Sequence, residues 1–246
     1  MRSKLTSAVY AGMCALVLFS QQAIAQEDDN SFTLGLTTDL NSDYMWRGLN
    51  LYDGISVQPA LDANYSLGEM GSIGANVWAH FSAEGGRSAA EKYTEVDYTA
   101  HWDKAFDGFA ISLGHIWYTY PRDSDAIEDT AEFFGSISID CPLSPYIEVF
   151  KDYDLYDNYY AEVGISHTFE TAALGSTTPY VAIGYATDAE KVYADDSGIT
   201  HVGVGTSFEF KSGETTITPN INYNFSVDDN TDDEFWIGLN LGYSLL

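Results

Sequence analysis

Basic side chains are scarce in this sequence: 10 Lys and Arg stand against 37 Asp and Glu, a formal net charge of −27. A chain so acidic repels phosphate backbones and offers almost no counterion-releasing contacts, which excludes nucleic acid as a partner. Cysteine is nearly absent, with only Cys14 and Cys141, so no disulfide framework organises the fold. After the N-terminal stretch no apolar pattern at helical spacing is sustained, and no run is long enough to cross a bilayer as a helix. Apolar residues are nonetheless plentiful. At 45% hydrophobic and 15% aromatic, the chain is too rich in buriable surface to stay disordered.

The N-terminal stretch is a separate matter. Arg2 and Lys4 precede an apolar segment from Ala8 to Phe19, and Gln21-Gln22-Ala23-Ile24-Ala25 then offers a small-x-small cleavage pattern. This predicts a secretory signal peptide over residues 1–25 and a single domain over 26–246, the apolar segment being too short for a spanning anchor. Met13, ahead of Cys14, stands where lipid attachment would want a small residue. Cys141 is then the remaining thiol, and it reads as an inert packing residue.

What the rest of the chain has is alternation. Val57, Leu61, Ala63 and Tyr65 alternate with Ser56, Gln58, Asp62 and Asn64. Val96, Tyr98, Ala100 and Trp102 alternate with Glu95, Asp97, Thr99, His101 and Asp103, and Ile217, Ile221, Tyr223 and Phe225 with Thr216, Thr218, Asn220, Asn222 and Asn224. Phe235, Ile237, Leu239, Leu241, Tyr243 and Leu245 close the series. Period two argues strands with one apolar and one polar face. Read throughout, it predicts about twelve strands of roughly ten residues, the length a tilted membrane-spanning strand needs. The expected spans are 31–47, 55–66, 72–82, 93–103, 109–120, 131–141, 146–154, 159–169, 179–187, 199–210, 215–225 and 235–245.

The connections sort by parity. Compact links (67–71, 104–108, 142–145, 211–214) follow even-numbered strands, and longer acidic ones (83–92, 121–130, 188–198, 226–234) follow odd-numbered ones. The links 156–158 and 170–178 break the rule in opposite senses. The expected fold is therefore all-β: a transmembrane antiparallel β-barrel of about twelve strands, with short periplasmic turns and longer acidic extracellular loops. The rival is a soluble sandwich, which would bury the apolar face between two sheets and has no reason to sort its loops. Aromatic residues near strand ends (Tyr44, Trp46, Tyr65, Trp102, Tyr118, Tyr120, Tyr159, Tyr243) suit interfacial girdles. In 109–120, Phe109, Ile111 and Leu113 share one parity while Ile116, Tyr118 and Tyr120 share the other, which predicts a bulge at Gly114 that keeps His115 off the lipid face.

The polar parity predicts the lumen. Its acids are Asp39, Asp43, Asp62, Glu95, Asp97, Asp103, Glu132, Asp140, Glu148, Asp152, Glu162 and Glu209, against one strong base, Arg47, with His80, His101 and His201 nearby. Such a wall attracts cations and repels anions. Arg47 with Asp39, Asp43, Asp62, Glu95, Asp97, His101, Glu132, Glu148 and Glu162 forms the candidate constriction, Asp62 being the expected partner of Arg47. The alternative is that the same network only braces and plugs the wall. Twelve strands lie between the filled interior of eight and the channel of sixteen.

Catalytic patterns are thin. There is no Gly-x-Ser-x-Gly elbow, and the neighbours Ser166 and His167 point to opposite faces of a strand. His101 with Glu95 and Asp97 could serve as an acid–base or metal site, but no ligand spacing is diagnostic. The run Asp228-Asp229-Asn230-Thr231-Asp232-Asp233-Glu234 begins like a calcium loop yet lacks its glycine and its distal glutamate. Two readings stay open for it and for Asp195-Asp196: loose divalent-cation binding that bridges to lipopolysaccharide phosphates, or a solvated loop.

The run Asn41-Ser42-Asp43-Tyr44-Met45-Trp46-Arg47-Gly48-Leu49, followed by Asp53-Gly54 and Gln58-Pro59-Ala60-Leu61-Asp62, resembles the opening of the TorF-type porin family (Gcw_chp). That family shows Ser-Asp-Tyr-x-Phe-Arg-Gly-Ile, then Asp-Gly, then a glutamine-bearing strand; Trp46 and Leu49 here keep the character of its Phe and Ile. Glu95-x-Asp97, the aromatic strand from Gly114 to Tyr120, and Ser144-Pro145-Tyr146 are similar as well. The resemblance implies a secreted outer-membrane barrel of porin type with no catalytic residues. At the C-terminus Tyr243 and Leu245 keep phase and Leu246 falls out of it, where such barrels end on an in-phase aromatic.

The expectation is a passive, cation-preferring channel for small solutes in the bacterial outer membrane. Its partners are membrane lipid and lipopolysaccharide, with no cofactor and no enzyme activity. A non-conducting structural or adhesion barrel, and an outer-membrane hydrolase, are the alternatives.

Overall fold

The computed structural model describes residues 31–83, 94–121, 128–171, 174–193, 197–229 and 231–246. The predicted leader and the pair Asp195-Asp196 lie outside them. Alternating sequence becomes alternating geometry: successive residues of a strand point to opposite faces. The strands are β1 (Phe32–Trp46), β2 (Leu49–Ser66), β3 (Ser72–Ser82), β4 (Thr94–Phe106), β5 (Phe109–Thr119), β6 (Thr130–Ile139) and β7 (Tyr146–Asp152). They continue with β8 (Tyr159–Ser166), β9 (Phe169–Thr171), β10 (Gly175–Thr187), β11 (Ser197–Ser212), β12 (Thr215–Ser226) and β13 (Glu234–Ser244).

Apart from β8 and β9, which do not pair with each other, each strand pairs antiparallel with its sequence neighbours, and β13 pairs with β1, so the sheet closes on itself. β8 and β9 both pair with β10 and are two segments of one wall position, which makes the wall twelve-stranded. Closure leaves no unpaired edge, the condition a sheet must meet to sit in hydrocarbon. The outer face is a continuous apolar belt that includes Leu36, Leu61, Val77, Leu113, Ile137, Val163, Val181, Ile221 and Leu241, all exposed. Tyr65, Trp102, Tyr159 and Tyr243 point outward near strand ends, as girdle residues do.

Loop parity holds. One rim carries the links 67–71, 107–108, 140–145, 172–174 and 213–214; the other carries 47–48, 83–93, 120–129, 153–158, 188–196 and 227–233. The apparent exception at 170–178 dissolves because β9 and the start of β10 continue the ladder through it.

Three expectations are corrected. β5 pairs with β4 and β6 without a register shift, so there is no bulge at Gly114. Ile116 and Tyr118 face the interior instead, and His115 stays on the outer parity, where it meets the Tyr153 hydroxyl and the Phe133 ring. Tyr44, Tyr118 and Tyr120 are interior residues bonded to carboxylates and do not belong to the girdles. Cys141 is exposed in the 140–145 link and packs no core.

Candidate functional site

The site begins with a break in the ladder between β1 and β2. Regular pairing runs from Phe32 to Asn41, with register shifts between Asn41 and Asp43 and again between Tyr44 and Met45. β1 is registered to β13 only from Gly35 to Asn41, and β2 to β3 only from Ser56 to Ser66. Residues 43–53 therefore form a two-stranded tip that is registered only with itself. Its turn is Arg47-Gly48, with φ of 50° and 87°. Positive φ at both central residues is the two-residue turn that matches hairpin twist. Gly48 is required a second way, since a Cβ there would fall 2.5 Å from Nδ1 of His201.

That tip folds into the barrel mouth. Leu49 packs on a buried cluster of Ile116, Tyr118, Phe134, Phe150, Tyr160, Ala186, Ala189 and Tyr193. Arg47, 2% exposed, reaches β6 on a distant part of the wall. Its Nη1 donates to Glu132 Oε1 at 2.8 Å and its Nη2 to Glu132 Oε2 at 2.7 Å. Such a bidentate, charge-assisted pair is the strongest hydrogen-bonding arrangement available to a carboxylate in proteins. The guanidinium also lies over the rings of Phe150 (4.2 Å), Trp46 (4.5 Å) and Tyr160 (4.6 Å). The Tyr193 hydroxyl donates to the Arg47 carbonyl at 2.9 Å, and Tyr44 donates to Glu95 at 2.9 Å, which adds two further anchors.

The predicted lumen residues fall into two levels. Around the tip sit Arg47, Glu95, Asp97, Glu132 and Glu162, all buried. Glu95 also accepts from Tyr120 at 3.2 Å, and Glu132 from Tyr118 at 2.8 Å. Glu162 accepts from Tyr146 at 2.6 Å and Tyr160 at 3.0 Å, and Glu148 lies directly opposite it on β7. Asp97 is fully buried, and neither of its oxygens has a hydrogen-bond partner among the described residues. Toward the short-turn rim Asp39, Asp62, Asn64 and Asn76 are half-buried, while His101, Thr218 and Asn220 at the same end are buried. There Asp39 accepts from Asn240 at 3.0 Å and Asp62 from Asn76 at 2.6 Å. His101 Nδ1 bonds Asp103 at 2.6 Å, two residues along the same inner face of β4. Asp43 sits in the tip opposite Asp53, bonded to the Ser42 hydroxyl at 2.6 Å. Arg47 thus joins Glu132, not Asp62, because the tip leans across the mouth rather than continuing up the wall.

Among the described residues, Arg47 is the only buried Lys or Arg in the barrel. Interior carboxylates are instead solvated by tyrosine hydroxyls, a role invisible to a reading that assigns Tyr to the interfaces. A signal for it does exist in the sequence. At the loop-rim ends of β5 to β8, apolar residues stand at both parities: Ile116-Trp117, Phe133-Phe134, Val149-Phe150 and Tyr159-Tyr160. One member of each pair faces outward and the other meets the tip or its surroundings. In the 153–158 link, Asp157 accepts from Lys151 at the end of β7 at 2.5 Å, and that hydrogen bond and charge hold the Asp157 carboxyl below its ordinary range. Burial raises Tyr156 beside it.

Nucleophile and base pairs are few. Ser56 Oγ and His80 Nδ1 lie 2.9 Å apart, both fully buried. Ser166 is buried inside, whereas His167 bonds the Pro142 carbonyl at the exposed 140–145 link.

No family model matches the chain, and no curated protein matches it. Solved structures do. The chain is similar to an outer membrane channel from Pseudomonas putida F1, with a TM-score of 0.53 at 10% identity over 89% of this chain and 97% of that one. It is also similar to LpxR from Salmonella typhimurium, with a TM-score of 0.50 at 10% identity over 86% and 99%. At such identity the likeness is one of fold. The protein is a closed, twelve-stranded antiparallel β-barrel of the outer-membrane type.

Proposed function

We propose that this barrel sits in the bacterial outer membrane as a channel for small solutes, of the TorF porin type that residues 41–62 resemble, with a lumen that prefers cations. The observation that carries the reading is the inner wall. Glu95, Asp97, Glu132, Glu148 and Glu162 are gathered around a single guanidinium, with no second Lys or Arg buried among the described residues. The summed field of such a wall concentrates cations and excludes anions. Membrane lipid and lipopolysaccharide surround the outer belt in this reading, and the interior needs no cofactor. Reversal potentials measured in planar bilayers across a salt gradient test it: a cation-directed potential is expected, and an anion-directed one overturns the selectivity.

A second reading has its own observation. The tip that carries Arg47 fills the loop-rim mouth, which favours a closed structural barrel. Recordings without conductance steps, from folded protein and from variants with a loosened tip, would establish that reading and remove the channel.

A further inference from the structure

The residues that hold the Arg47 guanidinium come almost entirely from a part of the wall that the tip does not belong to. Glu132 on β6 supplies both carboxylate oxygens, and Tyr118 on β5 donates to one of them. Phe150 on β7 and Tyr160 on β8 supply ring faces at 4.2 and 4.6 Å. Glu148 and Glu162 stand within Coulombic reach. β5 to β8 are consecutive neighbours in the wall, and all these side chains belong to the inner parity. A carboxylate fork, flat aromatic faces and surplus negative charge together make a receptor for a planar, delocalised cation. In this structure the protein fills the receptor with its own side chain, carried on a segment registered with neither β13 nor β3.

We propose that the β5–β8 wall is a binding site for guanidinium-bearing solutes, and that Arg47 occupies it as a tethered surrogate. A solute that enters the mouth competes for Glu132, and its binding drives the 43–53 tip away from the wall. The displacement half of this inference rests on the channel reading; the binding half does not. Tethering sets the competition: a side chain on a short hairpin acts at an effective concentration on the order of mM, so the intact protein binds a free guanidinium weakly. Removal of the Arg47 side chain vacates the receptor while Glu132, Tyr118, Phe150 and Tyr160 stay in place.

Calorimetric titration of the detergent-solubilised full chain with arginine methyl ester tests this, with lysine methyl ester as the control cation. The Arg47→Ala variant is expected to bind the arginine ester saturably and at least roughly tenfold more tightly than the unsubstituted protein. Adding Glu132→Gln is expected to weaken that binding roughly 10- to 100-fold, the value of charge-assisted bonds to a carboxylate. The lysine ester, a point charge without the fork, is expected to bind more weakly than the arginine ester. Heat-modifiable gel mobility reports folding; if the alanine variant does not fold, Arg47→Lys keeps a charge on the tip and is titrated in its place, with the same ordering of esters. Absence of saturable heat in a folded variant, equal binding after Glu132→Gln, or equal binding of both esters would overturn the proposal. In parallel bilayer recordings, arginine ester is expected to increase the open time of the unsubstituted protein. If binding is seen while no variant conducts, the site stands and the channel reading falls; if variants conduct without saturable binding, the reverse holds.

Discussion

Glu132→Gln separates a moving tip from a rigid one. The substitution keeps the size of the side chain and one neutral acceptor but removes the charge that faces the Arg47 guanidinium at 2.7 and 2.8 Å. Hydrogen bonds to charged groups contribute about 1.5–3 kcal/mol each, against about 1 kcal/mol for a neutral one. Stranding a buried guanidinium would ordinarily cost 3–5 kcal/mol. With the displaceable tip proposed above, the stranded cation swings into water instead, and the loss is capped at roughly 2 kcal/mol of closure free energy. Two kcal/mol corresponds to roughly a 30-fold larger open population. The assay is built into the sequence: the Arg47-Gly48 bond is a trypsin site, and Arg47 is buried in the closed tip. Where the tip reopens and recloses faster than trypsin cuts, nicking tracks the open population. The variant is therefore expected to be nicked between residues 47 and 48 roughly 30-fold faster, while unboiled gel mobility shows the barrel intact. An unchanged nicking rate, or faster cleavage only where the barrel itself has unfolded, would refute the reasoning.

Two further outcomes follow from the wall. Gly114→Ala places a Cβ 2.4 Å from ring atoms of Phe134 and 2.7 Å from the Ala100 carbonyl, so it should cost about 1–3 kcal/mol in urea unfolding from detergent. Gly135→Ala, on the neighbouring strand, meets a flexible Leu113 methyl at 3.2 Å and should cost far less; the opposite order would contradict the packing. Cys141, exposed on the short-turn rim, is expected to react with a bulky maleimide polymer only after the outer membrane is permeabilised, and labelling of intact cells would invert the orientation.

The barrel was largely legible because its strands obey one rule: the apolar parity faces out. Strands, rims and closure all follow from that alternation, and the segments from 72–82 to 235–245 are strands very nearly where period two puts them. The rule fails where a second apolar surface exists. Ile116 and Tyr118 looked like a shifted register because a greasy residue at the polar parity has no place in a water-filled tube. They belong to the seat of the tip, where Leu49 supplies the missing apolar partner. The partner of Arg47 was illegible for a related reason. Glu132 lies 85 residues away, and only the inward lean of residues 43–53, set by the shifts after Asn41, brings the two together. Local spacing predicts neighbours along a strand or across one ladder, not contacts made across a lumen. The lumenal use of tyrosine was hidden as well, because the same residue type serves both the interfaces and the buried carboxylates.

The seating of the Arg47 turn has a consequence for passage through the barrel. Asp39, Asp62, Asn64 and Asn76 are half-buried toward the short-turn rim, while at the other rim the Arg47-Gly48 turn is held by a ring of buried side chains. A solute crossing at that rim would have to pass the Arg47-Gly48 turn, so control of passage is concentrated in one hairpin and its contact with Glu132.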